Sequence, residues 1–115
     1  MTPAKFRRIA LGLPEAIEST HFGTPDFRIR GKIFATLGEH ERGWGVVKLT
    51  PEQQEILVQG EPSVFKPVAG TWGRRGWTEV HIANADEVTL KSALTSAWLT
   101  VAPKKLAAEF RKAKE

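Results

Sequence analysis

Cysteine is missing from this chain of 115 residues. That excludes disulfides and thiolate metal sites and agrees with a reducing compartment. No apolar run approaches the ~20 residues that span a bilayer. The opening Met1-Thr2-Pro3-Ala4-Lys5-Phe6-Arg7-Arg8 has neither the apolar stretch nor the small-residue cleavage site of a secretory leader. A cytoplasmic protein of bacterial style, without a membrane partner, is the expectation. No internal repeat, linker or low-complexity stretch appears. Residues 1–115 therefore read as a single domain, long enough to bury roughly two-thirds of its surface.

Catalytic signatures are scarce too. The three histidines, His21, His40 and His81, share no metal-ligand spacing. There is no Gly-x-Ser-x-Gly and no phosphate-cradling loop, and Gly70 and Gly73 are too sparse for a dinucleotide fingerprint. Glu39 and Glu41 fall in a charged turn, Gly38 to Gly43, where solvation is their ordinary role. The expectation is a non-enzymatic protein with no metal and no cofactor.

What is present is a positive balance, 17 basic against 13 acidic residues, and it sits at the two ends. Residues 1–14 carry Lys5, Arg7 and Arg8 and no acid. Residues 104–115 carry Lys104, Lys105, Arg111, Lys112 and Lys114 against Glu109 and Glu115. The stretch between is slightly acidic. A basic chain invites a nucleic-acid reading, but solvated lysine-rich helix faces account for the ends more simply.

The elements follow from end signals and periodicity. Thr2 and Pro3 open a helix whose stripe is Phe6, Ile9, Ala10 and Leu13, closed by Gly12-Pro14. Phe27 and Ile29 alternate with Arg28 and Arg30, Gly31-Lys32 turns, and Ile33 to Leu37 returns. Trp44 to Leu49 is a third strand. If Phe27 and Ile29 face the core, Arg28 and Arg30 share the other face. Thr50-Pro51-Glu52-Gln53 is a capping box opening a helix that buries Ile56 and Leu57 and stops at Gly60. Val64 to Pro67 suits an edge strand. Trp77 to Ile82 is a strand with Val80 and Ile82 inward and His81 sharing a face with Trp77 and Glu79. The longest helix starts near Asn84, paired with Glu87, and carries the stripe Leu90, Ala93, Leu94, Ala97, Trp98 and Val101. Pro103 stops or kinks it, and Leu106, Phe110 and Ala113 continue a weaker stripe. The order argues an α+β domain, an antiparallel sheet packed with N-terminal, middle and C-terminal helices.

The densest chemistry lies in Gly70-Thr71-Trp72-Gly73-Arg74-Arg75-Gly76-Trp77. Tryptophan offers a large flat surface, and arginine a planar cation that stacks and grips phosphates or carboxylates. The stretch is either a glycine-bent packed corner or a binding surface. Core packing is the commoner fate of Trp72 and Trp77, and Asp26 or Glu79 would be natural partners for Arg74 and Arg75. Phe22-Gly23-Thr24-Pro25-Asp26 makes a second turn, with Asp26 free to accept backbone hydrogen bonds or pair with Arg28, Arg74 or Arg75.

Three stretches carry a family likeness. His21-Phe22-Gly23-Thr24-Pro25-Asp26-Phe27-Arg28-Ile29-Arg30-Gly31-Lys32-Ile33-Phe34-Ala35 resembles the N-terminal signature of the MmcQ/YjbR family. Trp72-Gly73-Arg74-Arg75-Gly76-Trp77-Thr78 resembles its second signature. Leu99 to Lys104, containing Val101-Ala102-Pro103-Lys104, resembles its closing helix. The likeness implies a small cytoplasmic bacterial α+β domain, similar in architecture to secretion-chaperone-like folds. It also implies DNA as a partner, since family members often carry that label.

Two binding readings stay open. In one, Arg28, Arg30, Lys32, Arg74 and Arg75 meet phosphates while Trp72 stacks on bases. In the other, the Gly70–Trp77 loop and the Phe22–Pro25 turn rim a groove for a protein or small ligand. Geometry separates them: the first needs the five cations on one open face.

Overall fold

The computed structural model describes residues 1–38 and 43–114. The turn bearing Glu39, His40, Glu41 and Arg42 lies outside the described residues. Helix α1 (Pro3–Leu11) opens as its end residues dictate: Thr2 Oγ1 accepts from Lys5 N at 3.2 Å and Pro3 needs no amide partner. It buries Phe6 and Ala10. Four strands follow, β1 (Ile17–His21), β2 (Thr24–Ile29), β3 (Lys32–Leu37) and β4 (Trp44–Lys48). Then come α2 (Pro51–Gly60), β5 (Phe65–Pro67), the one-turn α3 (Thr71–Arg74), β6 (Trp77–His81), α4 (Glu87–Val101) and α5 (Lys104–Ala113). The strands form one antiparallel sheet in the order β1-β2-β3-β4-β6-β5.

One sheet face is closed by helices. Phe27, Ala35, Val47 and Val80 point into a core completed by Phe6, Leu90, Leu94 and Trp98. The Phe6 ring lies on Gly45, where a Cβ would come within 2.7 Å of it. Trp98, fully buried, donates its indole N–H to the Pro14 carbonyl at 3.0 Å, so the polar end of the largest core side chain is satisfied. Phe27 faces Ala35 while Arg28 faces Ile33, which leaves Phe34 as an extra residue on β3. The resulting bulge turns both Phe34 and Ala35 inward.

Several boundaries differ from the sequence reading, each for a local reason. Strand β1 was not expected: Ile-Glu-Ser-Thr-His has no apolar alternation, because it is an edge strand held mainly by backbone pairing with β2. The β2–β3 turn is Arg30-Gly31 rather than Gly31-Lys32. Both residues have positive φ, 49° and 82°, as a two-residue hairpin with right-handed twist requires. Arg30 therefore leaves the strand and does not share a face with Arg28. Helix α4 is capped by Asp86, whose Oδ1 accepts from Thr89 N at 2.7 Å. Asn84 sits in the preceding 3-10 turn and donates to the Ser63 carbonyl. Ile56 points to solvent, and only Leu57 of the expected α2 pair packs on the core. Pro103 ends α4 and α5 restarts at Lys104.

Candidate functional site

The other sheet face carries Ile33, Thr36, Val46 and Trp77 in adjacent strands, all half-buried. Its upper wall is built by the glycine-rich loop. Gly70 enters with φ 77° and Gly76 leaves with φ 105°. Between them the backbone is pressed onto its neighbours. A Cβ on Gly73 would fall 1.7 Å from the Val68 carbonyl oxygen, and one on Gly76 would fall 1.9 Å from that of Leu49. Leu49 N donates to Gly76 O at 3.1 Å, and Val68 N to Trp77 O at 3.0 Å. Gln54 of α2 adds a clamp the sequence did not flag: its amide nitrogen reaches Gly73 O, Trp77 O and Thr78 Oγ1 at 2.9–3.1 Å.

This anchored loop holds Trp72 out rather than in. The expectation that Trp72 and Trp77 are core residues fails. Trp72 is 60% exposed, and its ring meets Trp77 edge-on, with centroids 6.3 Å apart and planes at 75°. It is the glycines that pack, because only a residue without Cβ fits against two carbonyls. The two indoles and Val68 wall a cup of about 360 Å³ over a floor of Ile33, Thr36 and Val46, with His21 at one end. Two cations ride on the walls, Arg75 at 5.9 Å from the Trp72 ring centre and Lys48 at 5.5 Å from that of Trp77. Burial, with the Arg75 charge nearby, holds the Lys48 ammonium below the usual lysine range.

At the His21 end, Asp26 is fully buried. It accepts from His21 Nδ1 at 2.8 Å, Arg28 Nε at 2.8 Å and Arg28 Nη2 at 3.0 Å. The Arg28 hydrogen bonds first, then the one from His21, keep its carboxyl below the usual aspartate range despite burial. An ionised carboxylate only accepts, so Nδ1 carries the imidazole proton and Nε2 is left for another group. Farther along the same outer face, His81 stacks on Trp44 with centroids 4.6 Å apart and planes 11° apart, and its Nδ1 meets Asn84 Nδ2 at 2.9 Å.

Of the six residues singled out from sequence, the fold brings Trp72 and Arg75 together, with Trp77 of the same stretch beside them and Lys48 as an unannounced neighbour. Arg74 is exposed beside them and donates to Thr71 Oγ1 at 3.2 Å. Neither Asp26 nor Glu79 forms an ion pair with Arg74 or Arg75 among the described residues. Arg28 is engaged by Asp26. Arg30 is held by Glu15 at 3.0 Å, a contact that lowers the Glu15 pKa, and it lines a small cavity with Lys105 and Glu109 of α5, away from the cup. Lys32 is exposed at the start of β3. The five cations thus do not form one open face. Val46 and Ile33 had only strand position as a signal, and His21, on the unexpected β1, had only its place in the first family signature.

Among the described residues, no group of three histidine, aspartate or glutamate side chains is placed to hold a metal. Nor is any helix long and apolar enough to cross a membrane. A model of the YjbR family matches residues 11–100. No curated protein matches. Among solved structures, a Deinococcus radiodurans protein, DR2400, carrying the DUF419 domain, superposes with a TM-score of 0.76. The two are 22% identical over 97% of this chain and 86% of that one, which supports a shared fold.

Proposed function

The chain belongs to the YjbR family, and we propose that it is a non-enzymatic binding domain that takes a flat, apolar group of a small molecule or peptide into the cup between Trp72 and Trp77. One observation carries this reading: a tryptophan 60% exposed on a loop locked by two carbonyl-packed glycines and Gln54. A rigid loop that holds a large apolar ring over an apolar floor is preorganised, so a ligand meets little ordering cost. At about 360 Å³ the cup falls in the size range of small-molecule sites. Stacking on such a ring contributes about 1–3 kcal/mol, and Arg75 and Lys48 favour a ligand with an anionic edge.

The nucleic-acid reading draws less support. Arg28 and Arg30 already serve carboxylates, so few phosphates would be neutralised and the counterion gain is small. A single unpaired base stacked in the cup remains compatible with the geometry and is one outcome of the test. The reading places the protein in a bacterial cytoplasm, in keeping with a chain without cysteine.

Thermal melting of the protein against aromatic acids, nucleoside monophosphates, aromatic dipeptides and a short single-stranded oligonucleotide decides the matter, since a ligand of the folded state must raise the melting temperature. The expected result is a rise with at least one flat ligand that vanishes in Trp72→Ala. A rise that survives Trp72→Ala, or none with any probe, overturns the proposal. A steeply salt-dependent response to the oligonucleotide alone moves the assignment to nucleic acid.

A further inference from the structure

The two basic chain ends, far apart in sequence, converge on the helical side of the molecule. Helices α1, α4 and α5 enclose a half-open groove of about 680 Å³. Its apolar lining comes from Ile9, Leu13 and Phe110, and its cations from Arg8, Lys91 and Lys114, at least one on or at the end of each helix. The one acid in the lining, Glu87, is ion-paired with Lys5 and lies near Lys91, both of which lower its pKa. Arg8, Lys91 and Lys114 have no carboxylate within ion-pair distance among the described residues. Val88 is 78% exposed at the groove edge, an apolar side chain on a helix surface with nothing over it.

We propose that this groove docks an acidic amphipathic helix of a partner protein. Three features argue for that occupant. The walls are mostly helix surface, with Arg8 and Ile9 on α1, Val88, Lys91 and Thr95 spaced along α4 and Phe110 on α5, while Gly12, Leu13 and Lys114 follow directly on the helix ends, so they present ridges and grooves into which another helix packs. From Val88 to Thr95 the α4 wall is about 11 Å long, two turns, which suits a short apolar stripe with anchors at i, i+3 or i+4 and i+7. The three cations lie on, or at the end of, three different helices, so acids flanking the stripe find partners on more than one wall. Gly12 keeps the floor low and, with φ −77°, needs no glycine for its own backbone. The site is separate from the tryptophan cup and stands or falls without it.

The test is selection of a displayed library of random 16-residue peptides on the immobilised full chain. The double variant Val88→Glu with Lys91→Glu serves for counter-selection, both changes being at residues whose side chains reach solvent. Synthetic copies of the recovered peptides are then measured by fluorescence anisotropy. The expected sequences carry apolar residues at helical spacing flanked by Asp or Glu. Their affinity falls at least tenfold in the double variant, falls again in Gly12→Leu, and is unchanged in Trp72→Ala. Variants keep the wild-type melting temperature. Recovery of no variant-sensitive peptide, or of basic or non-helical ones, overturns the proposal. So does equal binding to wild type and the double variant, or loss of binding in Trp72→Ala.

Discussion

The two faces of the sheet are made by the same strands and have opposite fates. In β4, Gly45 and Val47 point inward and are buried, while Trp44, Val46 and Lys48 point outward and stay half-exposed. In β6, Thr78 and Val80 are buried, and Trp77, Glu79 and His81 are not. The inner face is finished by α1 and α4. The outer one is finished only at its rim, by the glycine-bent segment whose single helical turn, α3, brings an indole. An apolar patch left open beside a rigid aromatic wall is what a binding face looks like; a sealed one is what stability needs.

That contrast can be broken at graded cost. The largest effect belongs to the loop anchor. Gly76→Val places a branched side chain at φ 105° against the Leu49 carbonyl, and a loss of more than about 4 kcal/mol, with little folded protein recovered, is expected by urea denaturation. A variant melting like wild type would mean the loop is not seated as described. Next comes the inner face. Leu94→Ala, in the sealed core, should cost about 2–5 kcal/mol, whereas the outward Val46→Ala should cost under about 1 kcal/mol and weaken ligand binding instead. Equal losses would erase the distinction between the faces.

Asp26→Asn probes the one buried charge on the outer face among the described residues. It should cost about 1–3 kcal/mol at neutral pH, by leaving Arg28 and His21 without a charged acceptor. The Asp26 carboxyl is held below its ordinary 3.8 in the folded state. Its stabilisation is therefore complete above that value and fades as the pH falls through the lower folded one. Wild type and variant should differ in urea midpoint at pH 7 and draw together below about pH 4. A constant gap would assign the loss to packing alone. Trp72→Ala should have the smallest effect, a melting temperature within a degree or two of wild type, because a side chain 60% exposed contributes little to the fold.

The starts of α1 and α2 and the inner stripe were legible from sequence because they depend on neighbours three and four residues away, whereas α4 took Asp86 and not Asn84 as its cap. Thr2-Pro3, Thr50-Gln53 and the run Leu90 to Trp98 all behave as written. Strand β1 was not, because an edge strand without alternation is specified by its partner. The site was half-legible. Composition marked the Trp72–Trp77 loop, and glycine chemistry marked its bend, but burial inverted the roles: the glycines pack and Trp72 does not. Arg30 looked like a strand neighbour of Arg28 until the turn took it. Val46 joined the cup and Gln54 its supporting loop through tertiary contact, a relation that local pattern does not carry.

The indole N–H signals of the four tryptophans give the most direct measurement of the central claim, that the outer face holds an open binding cup. In a nitrogen–proton correlation spectrum, assigned by single Trp→Phe changes, the protein is titrated with the flat ligand that best raises its melting temperature. Movement of the Trp72 and Trp77 signals, with Trp98 still, is the expected result. A ligand that moves Trp98 as far as the outer pair, or leaves Trp72 and Trp77 unmoved while binding, would contradict the account.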